Sequence, residues 1–547
     1  MKKVFFNAKV YVEKGVYAQA VLAEDGIIRA VGTDEEVLAA ADADGLAYEK
    51  VDCGGRTMLP GLNDSHMHLL MFGRSLYKVK TDDVKSIDEL VQRCRTFIKE
   101  HPERVQNGMH SVGWNQDNFT EGEKRMLTRH DLDRISTEIP VIMERICGHM
   151  LTANTKAIEM LGFDREIPEI PGGEVRLEAD GFPSGIFTEN ACHVVNALIP
   201  NPTMEERQAA ILDGMKYAVA HGLTSVQCND VGYPECKGEG AFETYCQLYE
   251  RGEALLRFRH QTLFDSPEEF EEYLTKGEGS RGSYGEGSWL TLGPLKLYMD
   301  GSLGARTAMM KNGYVGDPDN HGVSCISPEE MDRYCSIAKK YGVQVVTHAI
   351  GDLAIEETID AYEKAFVDGE NKLRHSVIHC QITDQGLIDR IAEKGILVQA
   401  QPIFMGSDMG VMQEIMEEPL ISTSLNFGTM LRRGVHLSYG TDCPVEDCNP
   451  FLNLHQAINR RHQNGQPEGG FYPKECVDVE TAIDAYTLES AYCEFQENVK
   501  GRIKPGYYAD LVVLDKDIFT CDPLEIKDIL PVLTVVGGKT VYEREER

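Results

Sequence analysis

The sequence predicts an α/β protein in which a TIM-type (β/α)8 barrel is accompanied by a small β-sandwich domain built from both chain ends. Eight β-rich runs separated by segments with helical spacing predict the barrel, and strands broken by turn residues at both termini predict the sandwich. The chain has 547 residues, more than the about 250 of a plain barrel, so we expect one barrel enlarged by insertions.

The eight predicted barrel strands are short, apolar and rich in β-branched residues. Segments such as SPEEMDRYCSIAKKYG, residues 327–342, have helical spacing and lie between them. Strands that alternate with helices form a parallel sheet that can close on itself. The predicted strands occupy 58–69, 224–230, 255–263, 290–300, 343–350, 374–380, 396–404 and 435–442.

Three parts of the chain are expected. Residues 1–57 and 491–547 form the two halves of the small β domain, since both have short strands and turn pairs such as Asp25-Gly26. Residues 58–490 form the barrel, with an insertion at about 77–207 that contains a hairpin signal around GGEVRLEADGFPSG. Active sites of such barrels lie at the C-terminal ends of the strands, so an insertion after the first strand is expected to lie over the site.

The composition excludes several classes of partner. Lys+Arg 55 against Asp+Glu 88 gives a net charge of −33, which repels phosphate backbones and anionic lipids. We therefore expect a small-molecule substrate and no nucleic-acid or membrane partner. No apolar run reaches the about 18 residues of a membrane span, and 15 scattered cysteines without a CxxC pair indicate reduced thiols. A cytoplasmic protein is expected, with its oligomeric state open and a homodimer the commonest assembly.

Six polar side chains lie near the C-terminal ends of predicted strands. His66 and His68 are one residue apart, so an extended strand presents both rings on one face. Lys296 alternates with Leu295 and Leu297 and so faces the barrel axis, where an unpaired lysine is rare. Taken alone, a histidine in a strand is more often a hydrogen-bonded core residue than a metal ligand, and Asp442 could simply cap the next element. Chance is a poor explanation for the whole set, which is His66, His68, Lys296, His348, His379 and Asp442.

These residues and the motifs around them resemble the amidohydrolase superfamily of metal-dependent hydrolases. The segments LKLYMDGSLGARTA, VVTHAIGD and HGLTSVQ are similar to amidohydrolase family 3, the branch that includes N-substituted formamide deformylases. The segments GHMLTANTKAI and GIFTEN in the insertion resemble the same branch. The closing GRIKPGYYADLVVLD looks like the superfamily's C-terminal signature, so the resemblance covers nearly the whole chain.

The resemblance implies a divalent metal centre, with zinc as the default metal and one or two ions. His66 and His68 with Asp442 would hold one ion, and His348 with His379 a second, each imidazole being neutral. Lys296, carboxylated by carbon dioxide, would bridge both ions; without that carboxylate the site holds a single ion. The implied reaction is hydrolysis of a non-peptide C–N bond, of amide or formamide type, by metal-activated hydroxide. Asp442 would take the proton of the nucleophile and pass it to the leaving nitrogen.

Six further residues are candidates for contact with substrate. Trp114 either stacks an apolar part of the substrate or anchors the insertion as a buried residue. His149 looks like the family's lid histidine, which bonds the substrate carbonyl; the alternative is a bond within its own loop. The others lie where residues that line or support the pocket are expected. The candidates are Trp114, His149, Glu189, Asp300, Ser302 and Arg306.

Other functions stay open. A one-metal deaminase of the same fold has a glutamate three residues after the histidine of the fifth strand, where this chain has Gly351. Such a site also gives Lys296 no role. A cyclic amidase or a decarbamoylating enzyme shares the metal chemistry and cannot be separated by motif. A binding or regulatory protein would keep the barrel without turnover, although all six expected ligands are present here.

Overall fold

The structure is a computed structural model that describes residues 2–145, 150–165, 167–170, 172–198, 201–232, 240–276, 283–284 and 289–545. The chain divides into two compact units. The first comprises Met1–Phe72 and Ile211–Arg547, and the second comprises Gly73–Ala210. The predicted insertion at about 77–207 falls inside the second unit.

Eight parallel strands form the central sheet of the first unit, as the sequence predicts. Buried apolar runs of this kind suit a parallel sheet that is covered on both faces. The loop after the eighth strand bonds to the end of the first, since Asp442 N–H donates to His66 O at 2.8 Å and His68 N–H donates to Cys443 O at 2.7 Å. Ser283–Tyr284 adds a short antiparallel strand beside the fourth. Barrel strands 1 to 8 are Leu62–Met67, Leu223–Cys228, Arg257–Thr262, Leu290–Tyr298, Val345–Ala349, Ser376–His379, Leu397–Ala400 and Leu437–Tyr439.

The helix predicted over 327–342 shows why the helices begin and end where they do. Ser327 accepts a hydrogen bond from the N–H of Glu330, Pro328 is the first helical residue, and Gly342 ends the helix with a φ of 69° that favours glycine. Leu69–Ser75 and Met204–Ala220 extend across the chain positions at which the units divide. The helices that lie wholly within the first unit are Asp34–Asp42, Ala241–Glu250, Pro267–Lys276, Pro328–Tyr341, Asp352–Ala365, Gln385–Lys394, Met405–Ile415, Glu418–Ile421, Phe427–Arg432, Pro450–Asn459, Val479–Tyr486 and Leu488–Cys493.

Strands from both chain ends form the small β domain, as predicted. Leu511–Leu514 pairs antiparallel with Thr57–Pro60 and so joins the C-terminal strands to the N-terminal ones. The two sheets share one buried apolar core and pack as a sandwich; that core includes Phe5, Val10, Val21, Ile28, Met58, Leu511 and Val535. The four-stranded sheet is Ile27–Gly32, Ala20–Glu24, Lys2–Phe6 and Glu49–Asp52. The six-stranded sheet is Lys539–Glu543, Pro531–Val536, Leu511–Leu514, Thr57–Pro60, Lys9–Glu13 and Val16–Ala18.

The second unit is a five-stranded sheet with an apolar core on each face. Alternation along one central strand supplies both cores, since Val141 and Met143 belong to one and Ile142 to the other. The predicted hairpin is present as the antiparallel pair Gly173–Leu177 and Pro183–Glu189. The sheet order is Gly173–Leu177, Pro183–Glu189, Met150–Ala153, Val141–Arg145 and Met109–Trp114, and the helices include Ile87–Glu100, Arg129–Asp133, Thr155–Met160 and Asn190–Asn196.

Among the described residues, no helix combines the length and the apolar character needed to cross a bilayer.

Candidate metal centre

The barrel places the six predicted side chains at the C-terminal ends of its strands. His66 lies in barrel strand 1 and His68 directly follows it, while His379 ends barrel strand 6. Lys296 and His348 lie within barrel strands 4 and 5, and Asp442 lies in the loop after barrel strand 8. Five of the six residues are buried, and His348 is partly buried, with 13% of its side chain exposed.

Asp442 is the carboxylate around which the imidazoles gather. Its Oδ1 lies 3.3 Å from Nε2 of His66 and 3.3 Å from Nε2 of His68. One donor atom each from His66, His379 and Asp442 lie within 4.8 Å of one another. The ring centre of His348 is 4.5 Å from that of His379. The fold therefore brings residues from both ends of the barrel sequence to one place.

Each of the four imidazoles has one ring nitrogen held by an oxygen. An oxygen that only accepts requires a proton on that nitrogen, so in a neutral ring the other nitrogen keeps its lone pair. The ring nitrogen that would bind a cation is therefore Nε2 in His66, His68 and His379, and Nδ1 in His348. The contacts are His66 Nδ1 to Gln261 Oε1 at 2.6 Å, His68 Nδ1 to Asn229 O at 2.7 Å, His379 Nδ1 to Gln401 Oε1 at 2.9 Å and His348 Nε2 to Gly301 O at 3.0 Å.

Burial lowers the pKa of His66, His348 and His379 and so favours their neutral form, whereas at His68 burial is outweighed by hydrogen bonding and negative charge, chiefly from Asp442, which raise the pKa. Burial, reinforced by the charge of Lys296, lowers the pKa of His66 to about 4 and that of His348 to about 3. A neutral His66 carries its one proton on Nδ1, so the lone pair of Nε2 faces the Asp442 carboxylate at 3.3 Å. Two acceptors at this distance repel each other unless a cation lies between them. Nitrogen and carboxylate donors so arranged fit a divalent metal ion.

Lys296 lies beside this donor set with no exposed surface. Its Nζ has no hydrogen-bond partner among the residues that the structure describes and lies 4.5 Å from the ring centre of Tyr298. Burial lowers the pKa of the Lys296 amine to about 7, although the negative charge of Asp442 opposes this. Near neutral pH the amine is therefore partly uncharged and nucleophilic.

Asp300, a predicted pocket residue, organises the loops beside His348. Its carboxylate accepts hydrogen bonds from the backbone N–H groups of Ile350 at 3.0 Å, Gly351 at 2.8 Å and Met309 at 2.9 Å. Its Oδ1 is 3.5 Å from His348 Nε2. The Asp300 side chain thus fixes the loops after barrel strands 4 and 5, and its contact with substrate stays a prediction.

Two other predicted pocket residues, Ser302 and Arg306, lie with Asp300 in the loop after barrel strand 4. Ser302 is exposed, and Arg306 forms a surface ion pair with Glu414 at 3.5 Å. Neither side chain is among those that surround Asp442.

The remaining three candidates belong to the second unit. Trp114 is fully buried in an apolar core of that unit, where its Nε1–H donates to Met143 O at 3.0 Å. It occupies the position that the buried-anchor interpretation describes, and a role in binding substrate stays a prediction. Glu189 ends its strand, exposed and with a φ of 51°. His149 lies outside the described residues.

Several polar residues that support the histidines were not predicted from the sequence. They are Asn229, Gln261, Tyr298, Gln399 and Gln401. Tyr298 lies two residues after Lys296, so it shares the inward face, and its hydroxyl donates to Asn229 Oδ1 at 2.9 Å. The available signal was alternation, since LVQAQ places two glutamines on one face of an otherwise apolar strand.

Similarity to known proteins extends over nearly the whole chain and includes the residues of the candidate metal centre. The model of the amidohydrolase family matches residues 49–542. The putative amidohydrolase YtcJ of Bacillus subtilis is 29% identical over 553 residues, which cover 100% of both chains. The N-substituted formamide deformylase of Arthrobacter pascens is 26% identical, with 98% of this chain and 97% of the deformylase covered. The crystal structure of an uncharacterized metal-dependent hydrolase from Pyrococcus furiosus matches with a TM-score of 0.76 and 26% identity, covering 95% of this chain and 100% of that one. A family match of this extent, over a barrel with these donors, shows that the chain belongs to the amidohydrolase family.

Proposed function

We propose that this protein is a metal-dependent hydrolase that cleaves a non-peptide C–N bond, of amide or formamide type, in a small molecule. The observation that carries the proposal is the buried cluster in which one donor atom each from His66, His379 and Asp442 lie within 4.8 Å of one another, with Nε2 of His68 3.3 Å from the same carboxylate. The 26% identity to a formamide deformylase supports the class of bond.

His66 and His68 with Asp442 would hold one ion, and His348 with His379 a second. A bound divalent ion supplies Lewis acidity, which polarises a carbonyl group and makes water more acidic. Zinc is the default for a nitrogen and oxygen donor set without redox chemistry.

We infer that Lys296 carries a carboxylate in the active protein. The lone pair of its uncharged amine forms a C–N bond to carbon dioxide as one C=O π bond opens and places its electron pair on oxygen; the nitrogen then gives one proton to water, which leaves a carbamate anion. This anion can bridge two cations, and it removes the cost of burying an amine that has no partner among the described residues.

In this proposal Asp442 moves the proton. As a buried carboxylate beside two imidazole nitrogens, it can accept a proton from attacking water and deliver it to the leaving nitrogen. The products are a carboxylate and an amine.

The glycine at position 351 disfavours deamination of the one-metal type, because a deaminase has a glutamate at this position. A Cβ atom on this residue would lie 2.0 Å from the carbonyl oxygen of Met309, so the glutamate of a deaminase does not fit there without movement of the loop. A cyclic amidase shares the metal chemistry proposed here and is distinguished by substrate alone.

The test is an assay of purified protein against a panel of N-formyl amines, N-acyl amines and cyclic amides, each with and without added zinc, manganese or cobalt. Release of the amine from an open-chain member, dependent on metal, is the expected result. Turnover of cyclic amides alone would replace the proposed bond class, and release of ammonia from an amino-substituted ring would favour a deaminase. Metal-replete protein that turns over no member of the panel would contradict the proposal and favour a binding or regulatory protein.

The charge of −33 supports a small-molecule substrate and no nucleic-acid partner. The 13 cysteines among the described residues all have free thiols, which is typical of a reducing compartment and supports a cytoplasmic location.

A further inference from the structure

Three buried glutamines lie beside the metal centre: two contact its histidines, and the third contacts the other two glutamines. Gln261 lies in barrel strand 3, Gln399 lies in barrel strand 7 and Gln401 directly follows that strand. None is more than 1% exposed. We call these three residues the glutamine network.

Main-chain carbonyls fix the orientation of two of these amides. Gln261 Nε2 donates to Ser65 O at 3.0 Å, and Gln401 Nε2 donates to Gln399 O at 3.3 Å. A carbonyl oxygen only accepts, so each amide nitrogen must face the carbonyl and each Oε1 must face its histidine. The protons of His66 and His379 are therefore held on Nδ1, at 2.6 Å and 2.9 Å from those oxygens.

Gln399 connects the two histidine contacts. Its Oε1 accepts from Gln261 Nε2 at 3.2 Å, and its main-chain oxygen accepts from Gln401 Nε2. Its own Nε2 donates to Ser376 Oγ at 2.8 Å, at the start of the strand that ends in His379. Hydrogen bonds, together with the covalent bonds between the side chain and the main chain of Gln399, therefore connect a histidine of one proposed ion site to a histidine of the other.

We propose that Gln261, Gln399 and Gln401 are positioning residues that fix the ring orientation and the proton of His66 and His379, and that couple the two histidines. The proposal rests on the metal centre of the proposed function. A neutral amide acceptor orients an imidazole and keeps its Nε2 lone pair available without adding a negative charge beside it.

The first experiment compares Gln261→Met and Gln401→Met with Gln227→Met. Methionine has a similar length and no amide, so each variant loses its hydrogen bonds at little change in volume. Gln227 is a matched control, because it is also buried in the barrel but its Nε2 donates to Ser490 O at 3.1 Å, away from the histidines.

The readout is the affinity for Co²⁺ and Zn²⁺, measured by competition with a chromophoric chelator. We expect an affinity loss of about 10–100-fold for Gln261→Met and Gln401→Met and wild-type affinity for Gln227→Met. Wild-type affinity in the first two variants, or an equal loss in the control, would overturn the positioning role. Wild-type protein that binds no divalent ion would instead contradict the proposed function itself.

The double variant Gln261→Met/Gln401→Met tests the coupling. If Gln261 and Gln401 are coupled through Gln399, the fold-loss of metal affinity in the double variant should be smaller than the product of the two single fold-losses. The reason is that either single substitution already disturbs Gln399, the partner that both residues share. A combined loss equal to that product would show that the two histidines are held independently and would overturn the coupling.

A measurement on the unaltered protein is decisive where a variant does not fold. Histidine labelled with ¹⁵N in metal-free protein reports which ring nitrogen carries the proton. We expect Nδ1–H at His66 and His379 and Nε2–H at His348; an Nε2–H tautomer at His66 or His379 would overturn the proposal.

Discussion

The Nζ atom of Lys296 lies 4.5 Å from the ring centre of Tyr298, whose hydroxyl donates to Asn229 Oδ1 at 2.9 Å. The ring therefore cannot swing away from the amine without breaking that hydrogen bond. A ring face stabilises an ammonium by about 0.5–2 kcal/mol, which is less than the several kcal/mol that burial of a charge costs. The amine at this position is consequently expected to be neutral or modified.

Replacing this amine tests the proposed bridge. We expect Lys296→Met to bind less metal and to lose at least about 100-fold in kcat, the upper end of the effects seen when metal-ligand support is lost. The metal-free variant should melt no lower than metal-free wild type, because methionine fills a similar volume with no charge to bury. Elemental analysis gives metal per chain, and ¹³C NMR after incubation with ¹³C-bicarbonate shows a carbamate signal in wild type only. Unchanged metal content and rate would show that Lys296 has another role.

Asp442→Asn keeps the shape of the side chain but removes the base. We expect a folded protein whose turnover is about 10²–10⁴-fold lower, the range that a general acid–base group contributes. Asp478→Asn is the matched control, because Asp478 caps the helix Val479–Tyr486 and asparagine caps helices equally well. A wild-type rate in the Asp442 variant is incompatible with its proposed proton transfer.

Removal of the metal should affect both activity and stability. A chelator is expected to abolish turnover, and a divalent ion in excess should restore it. Because the ion binds the folded chain, an ion concentration about 1,000-fold above its Kd adds about 4 kcal/mol to the free energy of unfolding. Thermal melts with and without metal measure this shift, which should be smaller in Lys296→Met. If neither the activity nor the melting temperature changed on addition of the chelator, the reaction would not be metal-dependent.

The barrel could be predicted because its strands carry their own signals. Alternation places Lys296 inward, and apolar runs bounded by helical segments locate all eight strands. The supporting residues could not be predicted in the same way. The contact of Gln261 with Gln399 joins barrel strands 3 and 7, and no local pattern gives the distance between side chains of strands that are not neighbours. The three backbone N–H groups that donate to the Asp300 carboxylate likewise come from two loops that only the folded barrel brings together.

Substitutions at Trp114 can distinguish a packing role of this side chain from a role in binding substrate. Trp114→Phe removes the hydrogen bond from Nε1 to Met143 O, so we expect a loss of about 0.5–1.5 kcal/mol in the free energy of unfolding. Trp114→Ala should cost about 3–5 kcal/mol, since it opens a cavity in the core of the second unit. Urea titration measures both losses, and KM for the best substrate of the panel should stay at the wild-type value in Trp114→Phe at a temperature where the variant is folded. A raised KM with unchanged stability would mean that the indole contacts substrate, because loss of a buried hydrogen bond must appear in the unfolding free energy and loss of a substrate contact need not.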